Sequence, residues 1–205
     1  MDKLMKLFIV NRKVMVFLFG IMFLGVISGS ILPIFMSASD KELVCNYLSG
    51  FVDEVCSGVD YLFLFKNGIL CDGVFSFFIW VLGVSIIGIP IVLLLFFSKC
   101  FIFGFSISSI IINYGFKGVL ISFIYVFPHN VISLVFYCFL TCYSLLFSFK
   151  LIGFIFKKSE FNIRKYFYKY FKLYILCFIV LLICVLYDSF VNPFILNFAF
   201  KFLGL

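Results

Sequence analysis

Residues 74–97 read VFSFFIWVLGVSIIGIPIVLLLFF, an apolar stretch without one charged side chain. An α-helix needs roughly 20 such residues to cross the hydrocarbon core of a bilayer. The whole chain has this character, because 65% of its 205 residues are hydrophobic and only 12% are charged. A soluble domain carries about twice that share of charged residues. The composition therefore predicts an all-α, polytopic integral membrane protein.

Other apolar runs lie on both sides of this stretch, and they extend the prediction to a single membrane domain over residues 1–205. We predict five transmembrane helices, at residues 14–36, 74–97, 101–114, 131–156 and 173–187. The segment 116–127 is also apolar, but it is too short to cross a core about 30 Å thick. It is therefore predicted to be a re-entrant half-helix that precedes the fourth span.

Charge predicts the direction of the spans. The N-terminus and the linker 157–172 are rich in lysine and arginine, whereas the loop 37–72 is acidic. Basic segments stay in the cytoplasm, so we expect a cytoplasmic N-terminus, an outer loop at 37–72 and a C-terminus outside. The linker could lie on an anionic inner leaflet or be an ordinary cytoplasmic loop. This topology accounts for the net charge of +7, and no nucleic acid is expected as a partner.

One polar wedge, Pro128-His129-Asn130, interrupts apolar sequence between the half-helix and the fourth span. Pro128 suits the first turn of a helix, and Asn130 can hydrogen-bond backbone groups there. His129 is interpreted first as a polar turn residue, with a proton or ligand site as the alternative. The chain has no HExxH motif, phosphate loop or Cys/His metal pattern. We therefore predict no catalytic, cofactor or metal site, and hence no enzyme.

Small residues occur at spacings that let helices approach closely. Gly25 and Gly29 form a GxxxG pair in the first span, which favours either packing within the chain or docking of a partner, a second copy of the chain included. Gly83, Gly88 and Pro90 interrupt the second span, where a kink at Pro90 is predicted.

The loop 37–72 contains apolar residues at helical spacing. Val44, Tyr47, Leu48, Phe51 and Val55 fall on one face of an amphipathic helix that is predicted from Lys41 to about Val55. That face could lie on the protein's own surface or receive a partner, and Tyr47 and Phe51 are the candidate anchors.

Several short motifs in a fixed order resemble those of the stage II sporulation protein M family. The stretch WVLGVSIIGIP at 80–90 resembles the family's second-span signature, and NYGFKG at 113–118 is similar to the stretch that follows its short span. The Pro128-His129-Asn130 wedge resembles a Pro-Gln-Asn turn. Residues from Asp188 to Pro193 are similar to a closing element of acidic, small, Phe, Val and Pro residues. The resemblance covers residues 14 to about 195.

The resemblance implies a non-enzymatic role in the mother-cell membrane of an endospore-forming bacterium. Members anchor a peptidoglycan-degrading complex with stage II sporulation proteins D and P, which thins the septum during engulfment. The residues themselves leave a second hypothesis open. A broken helix with a polar turn at membrane depth is typical of transporters, so a small permease-like subunit with a site near Pro128–Asn130 is the alternative.

Overall fold

The computed structural model describes residues 12–57, 60–157 and 163–203, and within these ranges every regular element is a helix. The helices are α1 (Arg12–Phe35), α2 (Ala38–Ser57), α3 (Tyr61–Leu82), α4 (Gly88–Ile121), a π-helical turn (Ser122–Val126), α5 (Phe127–Lys157), α6 (Ile163–Phe190) and α7 (Asn192–Leu203). Five stretches of the described chain are long and apolar enough to cross a membrane. The predicted all-α fold with about five spans is confirmed.

The boundaries of the spans differ from those predicted. The membrane-length stretches are Arg12–Phe35, Tyr61–Leu82, Gly88–Ile124, Pro128–Phe154 and Tyr166–Phe198. The predicted span 74–97 is divided by a break at residues 83–87, and α4 continues through the predicted span 101–114. The break is invisible to a hydropathy average because Val84, Ile86 and Ile87 are themselves apolar. The predicted linker 157–172 also differs, because its residues from Ile163 onward form the first turns of α6.

Close packing requires glycine on both sides of the break between α3 and α4. A Cβ atom at Gly83 would lie 2.1 Å from the Ser144 hydroxyl oxygen, and one at Gly88 would lie 1.9 Å from the carbonyl oxygen of Leu82. Only glycine fits such close approaches. Pro90 lies in the first turn of α4, where its missing N–H has no helical partner to lose. The kink predicted at Pro90 is therefore replaced by a break before it.

Helix α1 lies against α4 through its glycines. A Cβ atom at Gly29 would lie 2.1 Å from the carbonyl oxygen of Phe101, and one at Gly25 would lie 2.7 Å from the Cβ of Cys100. The partner helix contributes Gly104, where a Cβ would lie 2.2 Å from the carbonyl oxygen of Val26. Of the two alternatives for Gly25 and Gly29, the structure thus has packing within the chain.

The half-helix begins at a backbone reversal. Gly115 has φ +57° and ψ −134°, which separates the long part of α4 from its last residues. A Cβ at Gly118 would lie 2.5 Å from the carbonyl oxygen of Ile110, so the chain folds back on the helix it has just left. The π-helical turn follows, and α5 begins at Phe127. Pro128 lies in the first turn of α5, as expected.

Helix α5 is the centre of the bundle. In its most apolar window 61% of the residues are buried, against 28% or less in the other four membrane-length stretches. It runs parallel to α3, since Tyr137, Ser144 and Ser148 of α5 contact residues 72, 79 and 83 in the same order. Helix α2 connects α1 to α3 at one end of the bundle, here called the α2 end. The break at 83–87 lies at the opposite end.

Candidate functional site

An ion pair lies in the middle of the membrane-spanning bundle. Asp72 is halfway along α3, and its Oδ1 accepts a hydrogen bond from the ammonium group of Lys99 on α4. The Tyr137 hydroxyl on α5 donates to the same carboxylate at 3.2 Å and contacts the Asp72 carbonyl oxygen at 3.0 Å. The Lys99 nitrogen also lies 4.8 Å from the centre of the Phe75 ring. Three helices are thus joined at one polar point.

The apolar bundle around Asp72 and Lys99 explains why these two charges lie together. A single charge in hydrocarbon is expensive, and pairing it with an opposite charge and further hydrogen bonds removes most of that penalty. The side chains of Lys99 and Asp72 are only 19% and 21% exposed. Sequence reasoning missed this pair, because it placed Asp72 in the loop 37–72 and left Lys99 between the predicted spans 74–97 and 101–114. The available signal was that each charge has apolar sequence on both sides.

A second polar cluster lies nearer the α2 end and contains two of the predicted site residues. His129 Nδ1 is 3.4 Å from Asp188 Oδ1, and it is 3.3 Å from Nδ2 of Asn192. Asn192 Nδ2 also donates to Asp188 Oδ1 at 2.5 Å. The His129 side chain is 13% exposed. His129 is therefore a partner of α6 and α7, and when it is protonated it forms an ion pair with Asp188.

The neighbours of His129 have local roles in the same cluster. Asn130 Nδ2 donates to the carbonyl oxygen of Val126 at 3.0 Å, so its side chain bonds a backbone acceptor in the π-helical turn. Pro193 is buried in the first turn of α7 directly after Asn192. The wedge 128–130 is about 60 residues away from Asp188 and Pro193 in sequence, yet the structure brings them to one place.

A polar stripe on α5 connects the two clusters. Its residues follow one another at intervals of three or four positions and so share one helical face. They are His129, Ser133, Tyr137, Thr141, Ser144 and Ser148. The last two donate to the carbonyl oxygens of Ile79 and Gly83, at 3.2 and 2.7 Å. The carbonyl groups at the end of a helix have no partner within it. The Ile79 carbonyl also accepts from the backbone N–H of Gly83, so the bond from Ser148 to Gly83 is the one that satisfies a carbonyl left over where α3 ends inside an apolar bundle.

A cleft opens at the α2 end between α2 and the bundle. Its volume is about 750 Å³, and its lining residues come from α2, α4, the start of α5 and the end of α6. His129, Asn130 and Asp188 contribute polar groups, and Val44 and Leu48 of α2 contribute apolar ones. The second polar cluster thus faces a cleft, whereas the Asp72–Lys99 pair is not among the residues that line it.

Helix α2 covers this cleft and matches the amphipathic helix that the sequence predicts. Ser37 caps the start of this helix. Its hydroxyl accepts a hydrogen bond from the backbone N–H of Asp40 and donates one to the side-chain carboxylate of the same residue. Val44 and Leu48 are partly buried toward the bundle, while Tyr47 is 83% exposed. The side chain of Phe51 lies outside the described residues. One apolar anchor candidate is thus free of the protein's own core.

The sequence model of one family, described as stage II sporulation protein M, matches residues 14–193. The chain belongs to that family. The match begins at the first span and ends at Pro193, so it includes the Asp72–Lys99 pair, the His129–Asp188 cluster and the cleft. No curated protein and no solved structure matches the chain. The resemblance found in the short motifs is therefore confirmed, and the chain is a sporulation-related, multi-pass membrane protein.

Proposed function

We propose that this stage II sporulation protein M family member is a non-enzymatic membrane scaffold of the engulfment complex. In this role it recruits the peptidoglycan-degrading stage II sporulation proteins D and P to the septal membrane of the mother cell. Septal thinning and membrane migration around the forespore then depend on where the scaffold holds these partners.

The observation that carries this proposal is the exposed face of α2. Tyr47 is 83% exposed and Leu43 is 61% exposed on a helix outside the five membrane-length stretches. Large apolar side chains on the face of an amphipathic helix are common anchors in protein recognition. The polar residues inside the bundle have a different use, because the Asp72–Lys99 pair and the end of the stripe on α5 join helices to one another.

The orientation that we propose places α2 outside the cytoplasm. Arg12 and Lys13 at the start of α1 and the lysines of the early α6 lie at the end of the bundle opposite α2, and basic residues favour the cytoplasm. Five crossings then put α2, the cleft and α7 on the side where a wall-degrading partner works.

The alternative function is a small transport subunit, and the stripe on α5 is the observation that favours it. The stripe lies at membrane depth and runs beside the Asp72–Lys99 pair. Ion and proton pathways consist of polar and charged residues in such positions. In a transporter, a new charge beside the wedge, Ser133→Asp, would stop transport without releasing any partner; because Ser133 is buried, normal levels of the variant in membranes are the control for folding. Retained septal partners together with lost sporulation in that variant would favour the transport hypothesis.

The scaffold is tested by Tyr47→Ser, alone and combined with Phe51→Ser, in sporulating cells with fluorescent partner hydrolases. A buried aromatic anchor contributes roughly 1.5–3 kcal/mol, so we expect the single variant to weaken septal retention and the double variant to abolish it. Tyr168→Ser is the matched control, because this tyrosine is 69% exposed on α6, far from α2. Normal septal partners in the double variant, at normal levels of the scaffold, would refute the proposal.

A further inference from the structure

The cleft below α2 has the size and the mixed lining of a binding site. Its volume of about 750 Å³ lies within the range of roughly 300–1,000 Å³ that is usual for ligand pockets. Apolar walls come from Leu48 on α2 and from Phe105 and Ile110 on α4. Polar groups come from Ser109 and from the His129–Asp188 cluster. An occupant therefore needs an apolar body and a polar group that reaches the floor.

Two groups in the cleft have hydrogen-bonding capacity that the described residues do not use. Ser109 is 4% exposed, and its hydroxyl has no hydrogen-bond partner among the described residues. Asp188 uses Oδ1 for both Asn192 and His129, and no described contact uses its Oδ2. The Asp188 side chain is still 40% exposed. A buried hydroxyl without a partner loses free energy, so Ser109 points to a missing hydrogen-bond partner, and the exposed Asp188 carboxylate is accessible to the same group.

The charge of the lining identifies the kind of hydrogen-bond partner. Asp40 and Asp188 both line the cleft, and among the described residues no lysine or arginine does. Such a site attracts a cation and repels an anion. Phospholipid headgroups carry a phosphate, so two carboxylates disfavour an anionic lipid as the occupant, and phosphatidylethanolamine, which also has an ammonium group, is the lipid competitor to test. A lysine or arginine side chain on an apolar protein segment meets every requirement.

We propose that the cleft binds an apolar segment of a membrane-anchored partner protein through one lysine or arginine of that segment, which reaches Asp188 and Ser109. The walls formed by α2 and α4 hold the apolar neighbours of this cation. The proposal rests on the scaffold function and specifies one feature of the partner. Tyr47 also lines the cleft, so the exposed aromatic anchor and the acidic groups belong to one binding surface.

The experiment uses the full chain in nanodiscs of neutral lipid and a short apolar peptide with one central lysine. The peptide is acetylated and amidated and has a neutral fluorophore, so lysine is its only charge. Fluorescence anisotropy compares it with the same peptide in which norleucine replaces lysine. We expect the lysine peptide to bind on the order of tenfold more tightly, as close charge pairs at interfaces do.

Two protein variants locate the effect. Asp188→Asn should reduce the preference for lysine to less than twofold, whereas Glu42→Gln should leave it unchanged, because Glu42 is exposed on α2 and does not line the cleft. The comparison of the two peptides on the unaltered protein needs no variant, so a folding defect in Asp188→Asn cannot hide the answer.

Three outcomes would overturn the proposal. These are equal affinity for the two peptides, an unchanged preference in Asp188→Asn, and displacement of the lysine peptide by added phosphatidylethanolamine, which would make the cleft a lipid site. The scaffold proposal fails separately, through normal septal hydrolases in the Tyr47 and Phe51 variants. A scaffold without a cation socket would thus release its partners in those variants and still bind both peptides equally.

Discussion

The ion pair between Asp72 and Lys99 gives the sharpest prediction of stability. Asp72→Asn leaves Lys99 charged and unpaired near the middle of the bundle, and Lys99→Met does the same to Asp72. The double variant removes both charges. If the main role of each charge is to neutralise the other, the free energy of unfolding of the double variant must be closer to that of the wild type than either single variant's is.

The size of the effect follows from burial. An unpaired charge at the centre of a span costs about 2.5–3.5 kcal/mol, and loss of one partner of a buried pair costs about 3–5 kcal/mol. Both side chains keep about a fifth of their surface exposed, which lowers these values. We therefore expect each single variant to lose ~2–3 kcal/mol and the double variant to lose less than ~1 kcal/mol. Tyr137→Phe, which removes a hydrogen bond and no charge, should lose roughly 0.6 kcal/mol.

The assay is reversible unfolding of the purified protein by sodium dodecyl sulfate in mixed micelles, followed by circular dichroism. Glu42→Gln serves as the control for loss of an exposed carboxylate, and its effect should stay within about 0.5 kcal/mol. Losses in the two single variants that simply add in the double variant would refute the reasoning. The two charges would then act on their surroundings independently, and the contact between them would contribute nothing.

Three further predictions test packing, the wedge and the orientation. Gly29→Val should destabilise the protein by about 1–3 kcal/mol through overpacking against α4. Gly20→Val should be tolerated, because a Cβ there meets nothing within 4 Å. Equal accumulation of the two variants in membranes would contradict this prediction. His129→Gln should keep sporulation, because an amide can still meet its polar neighbours, and complete loss at normal protein levels would instead indicate a proton or ligand role. In a cysteine-free background, an impermeant maleimide should label Cys45 on α2 in intact cells but not a cysteine at Ser85 in the break, and labelling at Ser85 would reverse the proposed orientation.

The membrane character and the approximate number of spans could be read from the sequence because they depend on sums over many residues. The mean hydropathy of a span is an average over about 20 residues. One polar residue therefore does not change the prediction that the segment crosses the membrane. The amphipathic pattern of α2 and the first-turn position of Pro128 could also be predicted, since both depend on neighbours in the chain. These features follow from local rules.

The predicted span boundaries were wrong where averaging over many residues hid the helix break at 83–87. Gly83 and Gly88 were visible as interruptions, but only the hydroxyls of α5 and α6 that pack against Gly83 show why glycine is required there. The predicted spans exclude Asp72 and Lys99, because an isolated charge in hydrocarbon is unfavourable. Each is tolerated inside a span because the other is present, and the two lie on different helices.

The sequence by itself thus determined that this chain is an all-helical membrane protein with acidic and basic segments on opposite sides of its spans. Only the tertiary structure decided which polar residues meet: Asp72 with Lys99, and His129 with Asp188. The physical reason is that hydrophobic burial is a property of each segment, whereas neutralisation of a charge in an apolar bundle is a property of a pair. Each pair joins two different helices, α3 with α4 and α5 with α6, and helix packing brings the two charges together.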